Sequence, residues 1–133
     1  MKRLAMIAGV VLLIAGVAGY VPQLCPDGKL FGLFAVDPMH NIVHIVTGLM
    51  GVGMSLASEA AGRNFFRILG VLYALVAALG FIVGRDGQVL GMAMNMADHF
   101  LHAGIAIVGL WLGFAYHAAL PPSRGHGPDL RGA

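Results

Sequence analysis

Four long apolar blocks, separated by short joins rich in glycine, proline and polar residues, organise the chain. They run from about Leu4 to Val21, Pro38 to Ala57, Phe65 to Val83 and Met96 to Ala118. Each holds about twenty residues, the length that a helix needs to cross about 30 Å of hydrocarbon. Pro38 behind Asp37 reads as a first-turn proline behind an N-cap, opening the second helix. Pro121 and Pro122 close the fourth. The expected fold is all-α, an integral membrane four-helix bundle in one domain over residues 1–118, with a disordered tail over 119–133. That tail accumulates Gly and Pro and has little to bury, so His126 within it is expected in solvent.

Two places interrupt this pattern. Lys2 and Arg3 ahead of the first block resemble the start of a signal peptide, but the apolar stretch is long for one. No small-x-small site precedes Pro22, and Val21 to Leu24 form no lipobox before Cys25, so an uncleaved first helix is expected. The loops ahead of the second and fourth helices are unusually apolar. They carry Leu30, Phe31, Leu33, Phe34, Ala35 and Val36, and Val89, Leu90, Met92, Met94 and Met96, and are expected to lie in the membrane interface.

Composition strengthens the membrane reading. Of 133 residues 59% are hydrophobic and 11% charged, against about a quarter charged in soluble domains. A water-soluble fold is excluded. Net charge is +2, yet the basic residues stand singly or in pairs and form no patch, so nucleic acid is excluded as a partner. The single cysteine, Cys25, rules out an internal disulfide. Charge matters more by position. With the N-terminus inside, Lys2, Arg3, Arg63, Arg67, Arg124 and Arg131 fall on the inner side and only Lys29 and Arg85 on the outer. Short cytoplasmic segments are enriched in Lys and Arg, which places both termini in the cytoplasm.

A shift of 58 residues lays Asp37–His44 on Asn95–His102. Polar falls on polar at Asp37 with Asn95, His40 with Asp98, Asn41 with His99, and His44 with His102. Two helices per unit make the units parallel, related by a pseudo-two-fold axis along the membrane normal. Residues four apart share a helix face, so His40 with His44 form one polar stripe and Asp98 with His102 its counterpart. The stripes are expected to meet near the outer surface, bringing the imidazoles of His44 and His102 together.

The stretch from Asp37 through Pro38, His40, Asn41 and His44 to Gly48 resembles the proline-x-His-Asn-x-x-His-x-x-x-Gly motif of the bacterial domain-of-unknown-function family DUF4383. Asn95 to His102 is similar to that family's second motif. The resemblance covers about Leu4 to Ala118 and implies a small four-helix protein of the bacterial inner membrane, with no established activity. That second motif carries Asn where this chain has His99, which argues against an essential role for His99.

Ionisable side chains inside a membrane cost a few kcal/mol each, so the cluster calls for a partner or a task. The structural reading is an interhelical hydrogen-bond network of His40, Asn41, His44, Asp98, His99 and His102, in a non-catalytic accessory subunit whose apolar loops, through Phe31 and Phe34, touch a larger membrane complex. The chemical reading is a transition-metal site. His40, His44, Asp98 and His102 supply three imidazoles and a carboxylate, suited to zinc, copper or iron, with Asn41 and His99 orienting the rings. Met92, Met94 and Met96 just before the fourth helix add soft thioethers that favour copper, unless they only pack. A b-type haem held by His44 and His102 is a third reading.

Other features are structural. Gly48, Gly51, Gly109 and Gly113 permit close helix approach; Trp111, Tyr116 and His117 form an interfacial belt; Glu59, Arg63 and Arg67 anchor the inner loop. No phosphate loop, nucleophile elbow or heptad repeat is present, so catalysis is not legible.

Overall fold

A computed structural model describes residues 1–116. The tail, with His117 and His126, lies outside the described residues. The chain is mostly helical, with helices α1 (Lys2–Ala18), α2 (Pro38–Ala57), α3 (Glu59–Val83) and α4 (Met96–Leu110, continued by a π-helical turn over Trp111–Ala115). Pro38–Ala57, Glu59–Val83 and Met96–Ala115 are long and apolar enough to cross a membrane. Helix α1 has 17 residues.

Local chemistry sets the boundaries. The Asp37 side chain accepts from the amide of His40 at 2.8 Å, and Pro38 has no amide to leave unpaired at the first helical position. Ser58 ends α2 in an extended conformation and caps α3 through its hydroxyl, which accepts from the amide of Ala61 at 3.0 Å. One residue therefore joins two helices, and α3 begins at Glu59, ahead of the apolar stretch expected from Phe65. At its own end, α1 stops at Ala18, and 3₁₀-type bonds from Tyr20 and Val21 tighten the following turn. At the close of α4, Arg63 and Arg67 of α3 donate to the carbonyls of Tyr116 at 2.7 Å and Gly113 at 2.9 Å. Carbonyls freed by the π-helical turn are thereby satisfied.

The apolar loops ahead of α2 and α4, expected to lie in the membrane interface, are folded into hairpins. Strands β1 (Lys29–Leu30) and β2 (Phe34–Ala35) form one antiparallel hairpin, and β3 (Asp86–Val89) and β4 (Met92–Asn95) another. Both connections contain two successive residues with left-handed backbone: Phe31 (φ 54°) with Gly32 (φ 70°), and Leu90 (φ 53°) with Gly91 (φ 81°). The methionine alternation before α4 is thus a strand period, which sends Met92 and Met94 to one face, both buried.

Glycines allow the closest helix contacts. A Cβ on Gly9 of α1 would sit 2.7 Å from the amide nitrogen of Val52 and 2.8 Å from the carbonyl of Gly48 in α2. One on Gly70 of α3 would sit 2.6 Å from the amide nitrogen of Leu110 in α4. Ala5, Leu12, Phe65, Phe66, Leu69, Tyr73, Ala106 and Leu112 fill the interior. Ile7, Ile14, Val46, Leu49, Leu75, Ile82 and Ile107 face outward, the distribution suited to lipid rather than water.

Candidate metal centre

The hairpins carry the site. In β4, the amide of Ala93 donates to the Asp37 carboxylate at the head of α2, and its carbonyl accepts from Nδ1 of His40 at 3.2 Å. A carbonyl can only accept, so Nδ1 of His40 carries a proton, and in the neutral ring Nε2 has the lone pair. The first hairpin makes the reciprocal link to α4. The amide of Ala35 donates to Oδ2 of Asp98 at 3.0 Å, and the Asn95 side-chain amide donates to the carbonyl of Leu33 at 2.8 Å. The opening turns of α2 and α4 are in this way drawn together.

Three imidazoles meet there. The ring centroids of His40 and His44 lie 4.6 Å apart, those of His40 and His102 5.7 Å, and those of His44 and His102 6.3 Å. One nitrogen from each lies within 4.8 Å of the other two. Imidazoles sharing an ion at about 2 Å from each nitrogen stand about 3.5 Å apart or less, so a contraction of about 1 Å would complete a metal site. His40 and His102 are buried, and Nε2 of His40 and Nδ1 of His102 have no hydrogen-bond partner among the described residues. The rings border a cavity of about 20 Å³ that Met92, Met94, Val43, Val76 and Tyr73 also line. That volume holds one water-sized body.

Asp98 stands apart from this triad. Its Oδ2 accepts from the amides of Asn95 (2.9 Å) and Ala35 (3.0 Å), while the Asn95 side chain accepts from the amide of Asp98 at 3.1 Å. The carboxylate completes a capping box and ties on the first hairpin. An Asn followed three residues later by an acidic residue, just before an apolar block, is the sequence signal for that role.

Asn41 and His99 turn away from the triad. Asn41 packs on Gly19 and His99 on Gly80, each so closely that a Cβ on the glycine would overlap the side chain. His99 bonds through Nε2 to the carbonyl of Gly84 at 2.8 Å. Met96, the first residue of α4, does not line the cavity that Met92 and Met94 cover. Tyr73 is the site residue that spacing did not single out. Its ring lies 5.1 Å from that of His102, and its hydroxyl is buried without a partner among the described residues. A lone tyrosine in an apolar block carries no pattern that marks it.

No curated protein and no solved structure matches the chain. The profile of a family described as a domain of unknown function, DUF4383, matches residues 2–115, nearly all of the described chain. By that match the chain belongs to the DUF4383 family.

Proposed function

We propose that this is a multi-pass protein of the bacterial cytoplasmic membrane, built from two parallel two-helix repeats, whose three-imidazole site holds a transition-metal ion, with copper(I) preferred. Several correspondences support the repeats. Gly9 against Gly51 in the α1–α2 pair has its counterpart in Gly70 against Gly109 in the α3–α4 pair. Gly19 receives Asn41 as Gly80 receives His99, and each hairpin precedes its long helix. On this reading α1, at 17 residues, is the fourth span, at the short end of the range that crosses a bilayer.

The convergence of His40, His44 and His102 carries the metal assignment. Two buried nitrogens without partners among the described residues, bordering a small cavity, are costly unless something engages them. A backbone carbonyl that fixes the far nitrogen of His40 is the usual support for a metal-bound imidazole. Three neutral donors leave an ion's full charge in a low-dielectric site. The desolvation cost grows with the square of the charge, so a monovalent ion is favoured. Imidazoles beneath a thioether roof suit copper(I) in softness as well. A haem between His44 and His102 would need far more room than about 20 Å³, so a single ion is the better occupant.

Anaerobic titration of the detergent-purified protein with copper(I), against a competing chelator, tests this. One equivalent is expected in the natural protein, with at least a tenfold loss of affinity in His40→Ala and in His102→Ala. A natural protein that takes up no copper, or variants that bind as well as it does, would overturn the assignment. The accessory-subunit reading draws on Phe31 and Leu90, which are 68% and 67% exposed at the hairpin tips. It gains if copper is absent and a larger membrane complex is lost on Phe31→Ser.

A further inference from the structure

Around the cavity, Tyr73 poses a problem that the metal ion alone does not solve. Its hydroxyl is buried and makes no hydrogen bond to any of the described residues, while its ring packs beside His102. An unsatisfied buried hydroxyl costs about 1–3 kcal/mol. A metal ion accepts no hydrogen bond, and a thioether accepts one only weakly. If Met92 or Met94 closed the coordination sphere, Tyr73 would stay unpaired. A small ligand with an acceptor atom, bound to the ion and turned toward α3, removes the cost.

We infer that the three-imidazole site keeps a fourth position open for a small exogenous ligand, and that the Tyr73 hydroxyl is the hydrogen-bond donor that orients it. The inference rests on the metal assignment above. Size and wall chemistry limit the ligand. With the ion drawn in among the three nitrogens, the cavity of about 20 Å³ that the rings border is left for one small ligand of one or two heavy atoms, and Val43 and Val76 beside it disfavour an anion. A neutral diatomic with a terminal acceptor atom is the class that fits. Tyr73 acts on this ligand, not on the ion, so its loss should spare the metal.

Carbon monoxide is a suitable probe, because it binds copper(I) and its stretching frequency reports hydrogen bonding at its oxygen. The copper(I)-loaded full chain in detergent is expected to take up one carbon monoxide per copper. In Tyr73→Phe, copper stoichiometry should be unchanged, the carbonyl stretch should move to higher frequency, and affinity for carbon monoxide should fall about fivefold, the worth of one ordinary hydrogen bond. The double variant Met92→Leu, Met94→Leu should still bind the gas, since the thioethers roof the site without filling its fourth position. Two results would overturn the inference while leaving the metal assignment intact: a copper-loaded protein that ignores carbon monoxide, or a Tyr73→Phe carbonyl stretch identical to that of the natural protein. A protein that binds no copper removes both readings together, and the chelator titration identifies that case first.

Discussion

The roles of Asp98 and His102 diverge although both lie on one stripe of α4. His102 ends in a cavity with an unpaired nitrogen, whereas Oδ2 of Asp98 is engaged by two backbone amides. Replacing Asp98 with Ala leaves the amides of Asn95 and Ala35 without their acceptor. The expected cost is about 2 kcal/mol, combining a lost cap with a lost charged hydrogen bond. Chemical denaturation in detergent should show this loss, while copper stoichiometry stays at one. Loss of copper at unchanged stability would instead make Asp98 a ligand. The spacing of His40 with His44, and the position of His102 in the second motif, were legible because a helix face is set by residue number alone. Asp98 shared that spacing, but its use was decided by Asn95 three residues earlier and by Ala35, which the chain brings in from 63 residues away. Tyr73 was invisible for a related reason: only the packing of α3 against α4 gives its hydroxyl a destination.

At the scale of elements, hydropathy marks where helices cross lipid but not how closely they approach one another. Gly70 and Gly104 look alike in sequence, each a glycine inside an apolar helix. In the fold, Gly70 lies against the α4 backbone, whereas a Cβ on Gly104 would meet nothing within 4 Å. Gly70→Ala must push α3 and α4 apart and is expected to destabilise by about 1–3 kcal/mol. Gly104→Ala should be neutral or stabilise by up to about 1 kcal/mol, because alanine is the better helix former. Comparing the two unfolding midpoints checks the assignment, and equal effects would contradict the close contact. The hairpins show the opposite failure of legibility. Phe31 and Leu90 adopt left-handed backbone that bulky residues seldom take, so propensity gave no turn signal beyond Gly32 and Gly91. The methionine alternation held the strand period, but against an apolar background it resembled an interfacial loop.

Across the whole molecule, the arrangement places the imidazole triad at one end of the bundle and the arginine contacts of α3 at the other. The triad sits in the opening turns of α2 and α4, and Arg63 and Arg67 hold the closing turn of α4. Charge divides between the same two ends: among the described residues, Lys2, Arg3, Arg63 and Arg67 lie toward the arginine end, and Lys29 and Arg85 toward the triad. On the proposed reading, the bias of basic residues to the cytoplasmic side puts the triad outside, so that an ion held there would exchange toward the external face. In a Cys25→Ser background, a cysteine at Gln88 in β3 and one at Ala60 in the first turn of α3 mark the two ends, both at exposed positions. A membrane-impermeant maleimide applied to intact spheroplasts should label Gln88→Cys, and should reach Ala60→Cys only after lysis. The reverse pattern would turn the site toward the cytoplasm. Copper(I) would then have to come from the reducing interior, and the hairpin bearing Met92 and Met94 would face the donors that supply it.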